Sequence, residues 1–230
     1  MGWFGEAVVR ALRLIVSLDA DLVGIIWLSL LVSFTAIVVA GLLGVPCGVA
    51  LGMGSFRGKG VVVSIFNTMM GIPPVVVGLV VFLLLSRQGL LGSAQLLFTP
   101  MAMMIAQTIL VFPIVAALSH SAVMGLDPLL KDGARTLGAS RVQVATLIVF
   151  EARYGIMAAM TAGFGRAISE VGAVLMVGGN IKGSTRVMTT AIALQTSMGD
   201  YDLALALGIL LILLALAVNA MLYRIQGGGQ

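Results

Sequence analysis

An arginine and a glutamate interrupt an apolar stretch of the chain, four residues apart. Arg166 and Glu170 lie within Tyr154–Val177, a run that can cross a bilayer only if it tolerates both charges. Each charge costs about 3 kcal/mol there on insertion scales, so each must face a partner or a water-filled cavity. The i, i+4 spacing lets the side chains neutralise each other on a helix, and we favour this structural pair. The alternative is an anion route, in which Arg166 attracts a dianion and Glu170 limits how tightly it stays.

A glycine-rich segment, GGNIKGSTRVMTT, follows this stretch from Gly178 to Thr190. Glycines let backbone amides approach an anion closely, and the hydroxyl and amide side chains of the segment add neutral donors. Arg186 adds a positive charge. The segment is therefore either an anion-contacting loop or an ordinary solvated loop.

Two adjacent prolines break the apolar run Val61–Leu85. Pro73 and Pro74 lack amide donors, so the carbonyls of Met69 and Met70 lose their usual helical partners. Free carbonyls at membrane depth must face protein or water, so the break is either a packing kink or a bend that lines a pathway. The predicted pathway or gate residues are Pro73, Pro74, Arg166, Ser169, Glu170, Asn180, Thr185, Arg186 and Thr189.

The only long polar break in the chain is DPLLKDGARTLGASRVQVATLIVFE, Asp127–Glu151. Asp127 can cap a helix, Pro128 suits the first helical position, and Gly138 can end the helix in a left-handed conformation. The segment therefore predicts a helix, a glycine turn and a second helix. A short helix displayed between two membrane spans suits a groove on a partner protein.

Other chemistry is missing from the sequence. A P-loop requires glycine six residues before Lys-Ser/Thr, and the nearest match, at Gly58-Lys59-Gly60, has Met53 in the glycine position. A single cysteine and a single histidine, Cys47 and His120, form no metal-binding pattern. The net charge of +4 is spread over short loops, which argues against nucleic-acid binding. We predict no catalytic residue, no metal and no bound cofactor in this chain.

The composition is that of an integral membrane protein, with 60% hydrophobic and 10% charged residues. We predict an all-α membrane protein with about five transmembrane helices, one transmembrane domain over residues 21–223, and a polar loop over residues 125–151. Residues 1–20 place their charges on one helical face and predict an interfacial amphipathic helix. The predicted spans are Leu22–Val45, Val61–Leu85, Met101–Leu118, Tyr154–Val177 and Leu203–Leu222.

The polar loop and the charge distribution give a topology. If the loop is cytoplasmic, the N-terminus lies outside and the C-terminus inside, with seven positive residues in cytoplasmic segments and five in external ones. The spans show no internal repeat, which counts against many secondary-transporter folds.

The polar loop resembles the coupling loop of ABC importer permeases, whose pattern is E-A-A, three residues, G, nine residues and I-x-L-P. Asp132-Gly133-Ala134, Gly138 and Ile148 stand at the matching positions, with Asp132 for Glu, Gly133 for Ala, Phe150 for Leu and Glu151 for Pro. The resemblance implies contact with an ATPase through Asp132, Gly133, Ala134, Arg135, Gly138, Ala139, Ser140 and Ile148.

The segments GIPPVVVG, GRAISEVGAVLMVGGNI and TRVMTTAIALQT are similar to molybdate and tungstate permeases, more closely to the tungstate type. This resemblance implies a type I ABC importer permease that pairs with a second copy, two ATPases that bind ATP and Mg, and an external oxyanion-binding protein. It implies tungstate uptake by alternating access in the cell membrane, with molybdate, sulfate and phosphate as alternatives. A channel or secondary carrier without an ATPase is the competing class.

Overall fold

A computed structural model of the chain describes residues 20–225 together with Gly5, Val8, Val9 and Arg13. The described residues form helices and contain no β-strand, which confirms the all-α prediction for this part of the chain. The predicted interfacial helix over residues 1–20 lies almost entirely outside the described residues and stays a prediction.

The described helices are α1 (Ala20–Met53), α2 (Lys59–Met70), α3 (Pro74–Leu85), a short 3₁₀ helix (Gly92–Ala94), α4 (Pro100–Met124), α5 (Pro128–Thr136), α6 (Arg141–Glu151), α7 (Arg153–Ile168), α8 (Gly172–Gly178), α9 (Met188–Ser197) and α10 (Tyr201–Ile225). Three of them, α1, α4 and α10, are long and apolar enough to cross a membrane by themselves. The bent pairs α2–α3 and α6–α7 raise the number of spans among the described residues to five at most.

Two of the predicted spans are not single helices. The run Val61–Leu85 is divided between α2 and α3, and the run Tyr154–Val177 is divided between α7 and α8. The second bent pair is α6–α7, with an angle of 66° between its helices. Pro73 and Pro74 predicted the first break, whereas the run Tyr154–Val177 contains no proline and its break was not predicted.

The break between α2 and α3 satisfies one of the carbonyls that the prolines were predicted to leave free. The amide of Ile72 donates to the carbonyl of Met69 at 3.3 Å, and the amide of Gly71 donates to Thr68 at 3.0 Å. The Met69 carbonyl therefore lacks its usual helical partner, as predicted, and a tighter turn supplies a replacement bond. Pro74 occupies the first position of α3, where a missing amide donor is harmless.

The described chain divides into two compact units. The first contains the described residues up to Ala36, Pro73–Gln107 and the described residues from Gly165 onwards, and the second contains Ile37–Ile72 and Thr108–Phe164. In the first unit α3 packs against α8, and α9 packs against α10. The α3–α8 contact is close because Gly78 lacks a side chain: a Cβ atom there would lie 2.7 Å from the Cα atom of Ala173.

In the second unit, α1 presents a row of glycines to α4. A Cβ atom at Gly48 would lie 2.7 Å from Cβ of Ser119 and 2.8 Å from the amide nitrogen of His120. One at Gly52 would lie 2.5 Å from Cγ1 of Val123. Small residues allow this approach where lipid removes the hydrophobic driving force for helix association. The same unit contains a buried apolar cluster, which we call the basal cluster: Val49, Val123, Val144, Ile148, Ala152 and Ile156.

Candidate functional site

The polar loop folds as the sequence predicted. A side-chain oxygen of Asp127 accepts a hydrogen bond from the amide of Leu129 at 2.9 Å, and α5 begins at Pro128. At the other end Gly138 has a φ of 85°, and its amide donates to the carbonyl of Arg135 at 3.0 Å. The amide of Ala139 donates to Ala134, also at 3.0 Å, which completes the pair of bonds that closes a helix around a left-handed glycine.

Ser140 begins the second helix of the loop. Its hydroxyl accepts from the amide of Gln143 at 3.3 Å, and its own amide donates to the side chain of Gln143 at 2.8 Å. This reciprocal pair of bonds fixes the start of α6 within two residues of the end of the turn. Local capping therefore fixes the angle at which α5 and α6 leave the turn.

The loop has one face turned towards the protein and one towards solvent. Ile148 is 4% exposed within the basal cluster, and Ala134 and Ala139 pack against that cluster from the turn. Of the predicted coupling residues, five are exposed: Asp132, Gly133, Arg135, Gly138 and Ser140. Ile148 therefore anchors the loop to the basal cluster, while the exposed residues form a surface that another protein can contact.

Large apolar side chains stand exposed on the same loop. Leu137 is 90% exposed beside the turn, Val142 is 75% exposed in α6, and Leu129 is 73% exposed in α5. Leu137 lies within the range Asp132–Ser140 that was predicted to contact the ATPase, whereas Leu129 and Val142 lie outside it and were missed. Exposed apolar side chains on a short helix suit insertion into a groove.

The predicted contact between Arg166 and Glu170 is present. Nη2 of Arg166 lies 3.5 Å from Oε2 of Glu170, and the side chains are 37% and 4% exposed respectively. The prediction that both residues lie in one helix was wrong, because α7 ends at Ile168 and Glu170 lies in the break before α8. The carboxylate of Glu170 also makes a second bond, to α8.

Glu170 is a hydrogen-bonding centre for three segments. Its Oε1 accepts from the amide of Ala173 in the first turn of α8 at 3.1 Å, so the carboxylate caps that helix as well as pairing with Arg166. Its backbone carbonyl accepts from the hydroxyl of Thr189 in α9 at 2.8 Å. Across the same break, Nε2 of Gln107 in α4 donates to the carbonyl of Ala167 at 2.9 Å.

Sequence reasoning missed Gln107. Gln107 is 3% exposed, and its side chain supplies a second donor to the Ala167 carbonyl, which also accepts from the amide of Glu170 at 3.2 Å. The available signal was a single glutamine within the apolar run Met101–Leu118.

The glycine-rich segment satisfies its own polar groups. Thr185 is fully buried, and its hydroxyl donates to the carbonyl of Gly178 at 2.5 Å while accepting from the amide of Ile181 at 3.0 Å. The side chain of Asn180 accepts from Nε of Arg186 at 3.2 Å. The hydroxyls of Thr185 and Thr189 are therefore engaged in internal bonds. Arg186 is half-buried, and its guanidinium retains donors beyond its contacts with the side chain and the carbonyl of Asn180.

Beside this segment lies a cavity of about 370 Å³. Its lining combines the cations Lys182 and Arg186 with the hydroxyl of Ser184, and with Asp21 at the start of α1. Nζ of Lys182 lies 2.7 Å from Oδ2 of Asp21. Neither Lys182 nor Asp21 was among the predicted pathway residues.

The first turn of α3, which begins at Pro74, lies against the first turn of α8 in the first unit. A Cβ atom on Gly172 would lie 2.8 Å from Cγ2 of Val75 and 3.5 Å from Oε1 of Glu170, so the first turns of α3 and α8 lie side by side near that oxygen. The structure thus brings Pro74, Arg166, Ser169 and Glu170 into one region. Among the described residues, no group of three metal-ligating side chains lies together.

Residues 44–227 match the family described as "Binding-protein-dependent transport system inner membrane component". The chain is 44% identical to a tungstate uptake system permease protein of Peptoclostridium acidaminophilum, over 98% of this chain and 99% of the relative. It is 49% identical to a probable anion ABC transporter permease protein of Haloferax volcanii, over 87% and 88%. A bacterial alginate ABC transporter solved with its pentasaccharide-bound periplasmic protein shares the fold, with a TM-score of 0.77, 18% identity, and coverage of 95% and 84%.

Proposed function

The chain belongs to the family of binding-protein-dependent transport system inner membrane components, and on that basis we propose that it is the permease subunit of a tungstate importer. The observation that supports tungstate as the substrate is the 44% identity, over nearly the full length of both chains, to a relative named for tungstate uptake. The family also disfavours a passive channel or a secondary carrier, since its members work in binding-protein-dependent systems.

ATP hydrolysis belongs to a partner in this proposal. The sequence lacks a P-loop, so ATP and Mg bind to an ATPase subunit that docks on the cytoplasmic side. Two copies of the permease pair, two ATPases dock beneath them, and an external binding protein delivers the oxyanion. The chain itself is not an enzyme and holds no cofactor.

The docking surface for the ATPase is the exposed side of α5 and the turn. Asp132, Gly133, Arg135, Gly138 and Ser140 are exposed, and Leu137 projects among them. Ala134, Ala139 and Ile148 support this surface through the basal cluster. Movement imposed on α5 by ATP binding therefore reaches the basal cluster through packed apolar side chains.

The anion pathway involves Arg166 more directly than Glu170. Arg166 is 37% exposed, whereas the carboxylate of Glu170 is buried and caps α8. We assign Glu170, Thr185, Thr189 and Asn180 to holding the α7–α8 break and the glycine-rich segment in place. Pro73, Pro74 and Ser169 shape the adjoining region, and Arg166 and Arg186 supply the positive charge that a dianion requires.

Alternating access in the cell membrane requires the topology predicted from charge, with the N-terminus outside and the C-terminus in the cytoplasm. Under this topology α5 faces the ATPase and the glycine-rich segment faces the binding protein. Tungstate, molybdate and sulfate are all tetrahedral oxyanions. Selectivity among them therefore lies with the binding protein that delivers the anion.

Uptake into proteoliposomes tests the function. Vesicles containing the permease with its ATPase inside, and the binding protein outside, should accumulate tungstate only with ATP. Molybdate and sulfate are the matched competitors. Accumulation without ATP would refute the importer, and molybdate uptake with no uptake of tungstate would replace the proposed substrate.

A further inference from the structure

Two lysines from outside α1 bind the carbonyls at its C-terminal end. Nζ of Lys131, in α5, donates to the carbonyl of Met53 at 2.6 Å. Nζ of Lys59, at the start of α2, donates to the carbonyl of Gly54 at 3.1 Å and to that of Gly52 at 3.4 Å. All of these residues belong to the second unit.

These bonds meet a need of the helix end. The last carbonyls of a helix have no intrahelical partners, and the helix dipole places partial negative charge there. The last turn of α1 contains no basic residue of its own. Cations must therefore come from other elements, and α5 and α2 each supply one.

The two lysines differ in what they connect. Lys59 follows α1 closely in the chain, so its bond closes a local turn between consecutive helices. Lys131 lies 78 residues from Met53 and is one residue from Asp132, on the helix whose exposed side forms the proposed docking surface. It is the one cation of this pair that joins the docking helix to α1.

We propose that Lys131 is a positioning residue for energy coupling, which ties α5 to the end of α1 so that movement of α5 is passed to that helix. The inference rests on the proposed function. A charged hydrogen bond at 2.6 Å resists separation of α5 from α1, and it is directional where the apolar contacts of the basal cluster are not. α1 is a single helix of 34 residues, so force applied at its end acts on the whole helix.

The site allows clean substitutions. A cavity of about 230 Å³ adjoins Lys131 between the end of α1 and the start of α5, so methionine and arginine have space. Lys131→Met removes the bond and keeps most of the volume, while Lys131→Arg keeps a donor. Because Ala134 and Ala139 still pack on the basal cluster, α5 should stay folded and should still bind the ATPase.

The test uses the full complex with its ATPase and binding protein in proteoliposomes. We expect the Lys131→Met complex to assemble and to hydrolyse ATP. Its ratio of anions transported to ATP hydrolysed should fall by about fivefold or more, as expected when a coupling free energy of ordinary size is lost. Lys131→Arg should restore much of the ratio. Lys59→Met, which removes the other cation from the same helix end, should lower thermal stability and leave the ratio unchanged. A wild-type ratio in Lys131→Met, or an equal loss in Lys59→Met, would overturn the proposal.

A second measurement does not depend on the transported anion. Hydrogen exchange at the amides of residues 49–54 should change when a non-hydrolysable ATP analogue is added to the wild-type complex, and should not change in Lys131→Met. An equal change in both would refute the role of Lys131. Failure of the wild-type complex to take up tungstate would refute the proposed substrate alone, because the exchange measurement still decides the coupling role.

Discussion

Removing either charge of the Arg166–Glu170 pair should cost stability by unequal amounts. Arg166→Met leaves the carboxylate of Glu170 without its cation at 4% exposure, whereas Glu170→Gln leaves a guanidinium that is 37% exposed and can reach water. Breaking a buried pair typically costs 3–5 kcal/mol, and the bond from Ala173 to Glu170 offsets part of this, so we expect about 3 kcal/mol for Arg166→Met. Glu170→Gln keeps an acceptor for the Ala173 amide, and we expect about 1 kcal/mol.

The assay is thermal unfolding of the purified permease, together with uptake normalised to assembled complex. At about 2–4 °C per kcal/mol for a chain of this size, Arg166→Met should lower Tm by about 6–12 °C and Glu170→Gln by about 2–4 °C. The double variant should recover most of the loss, since no buried charge is then unpaired.

One outcome would refute this reasoning. If Glu170→Gln proves more harmful to Tm than Arg166→Met, the burial of the two side chains does not govern the energy of the pair. A double variant that is stable and assembled but transports poorly would show that Arg166 also serves the anion pathway.

Three further predictions concern other parts of the chain. Gly48→Ala should lower Tm markedly because the new Cβ meets α4, whereas Gly24→Ala, with nothing within 4 Å, should leave Tm almost unchanged; equal shifts would contradict the close packing. Gly138→Val should strain the turn at its φ of 85° by about 1–2 kcal/mol and separate ATP hydrolysis from uptake, and wild-type uptake with wild-type ATPase pull-down would remove the turn from the coupling mechanism. Arg10→Cys, in a Cys47→Ser background, should react with an impermeant thiol reagent outside intact cells; labelling only after permeabilisation would reverse the proposed topology.

Local sequence determined the polar loop. Asp127, Pro128 and Gly138 act on their own helix ends, through bonds to residues at most a few positions away, so their types and spacing were enough to predict α5 and its turn. Composition was enough to predict a helical membrane protein, because 60% hydrophobic residues cannot be accommodated in a small soluble domain. The i, i+4 spacing likewise predicted that Arg166 meets Glu170.

The tertiary structure decided where those helices stop and what holds the breaks. The bonds from Thr189 to Glu170, from Gln107 to Ala167 and from Lys131 to Met53 join residues 19, 60 and 78 positions apart. No local pattern contains such pairs, because each depends on which helices lie side by side. Backbone groups at a break inside a membrane need partners, and at the end of α7 local backbone bonds are supplemented by Gln107 and Thr189 from neighbouring helices.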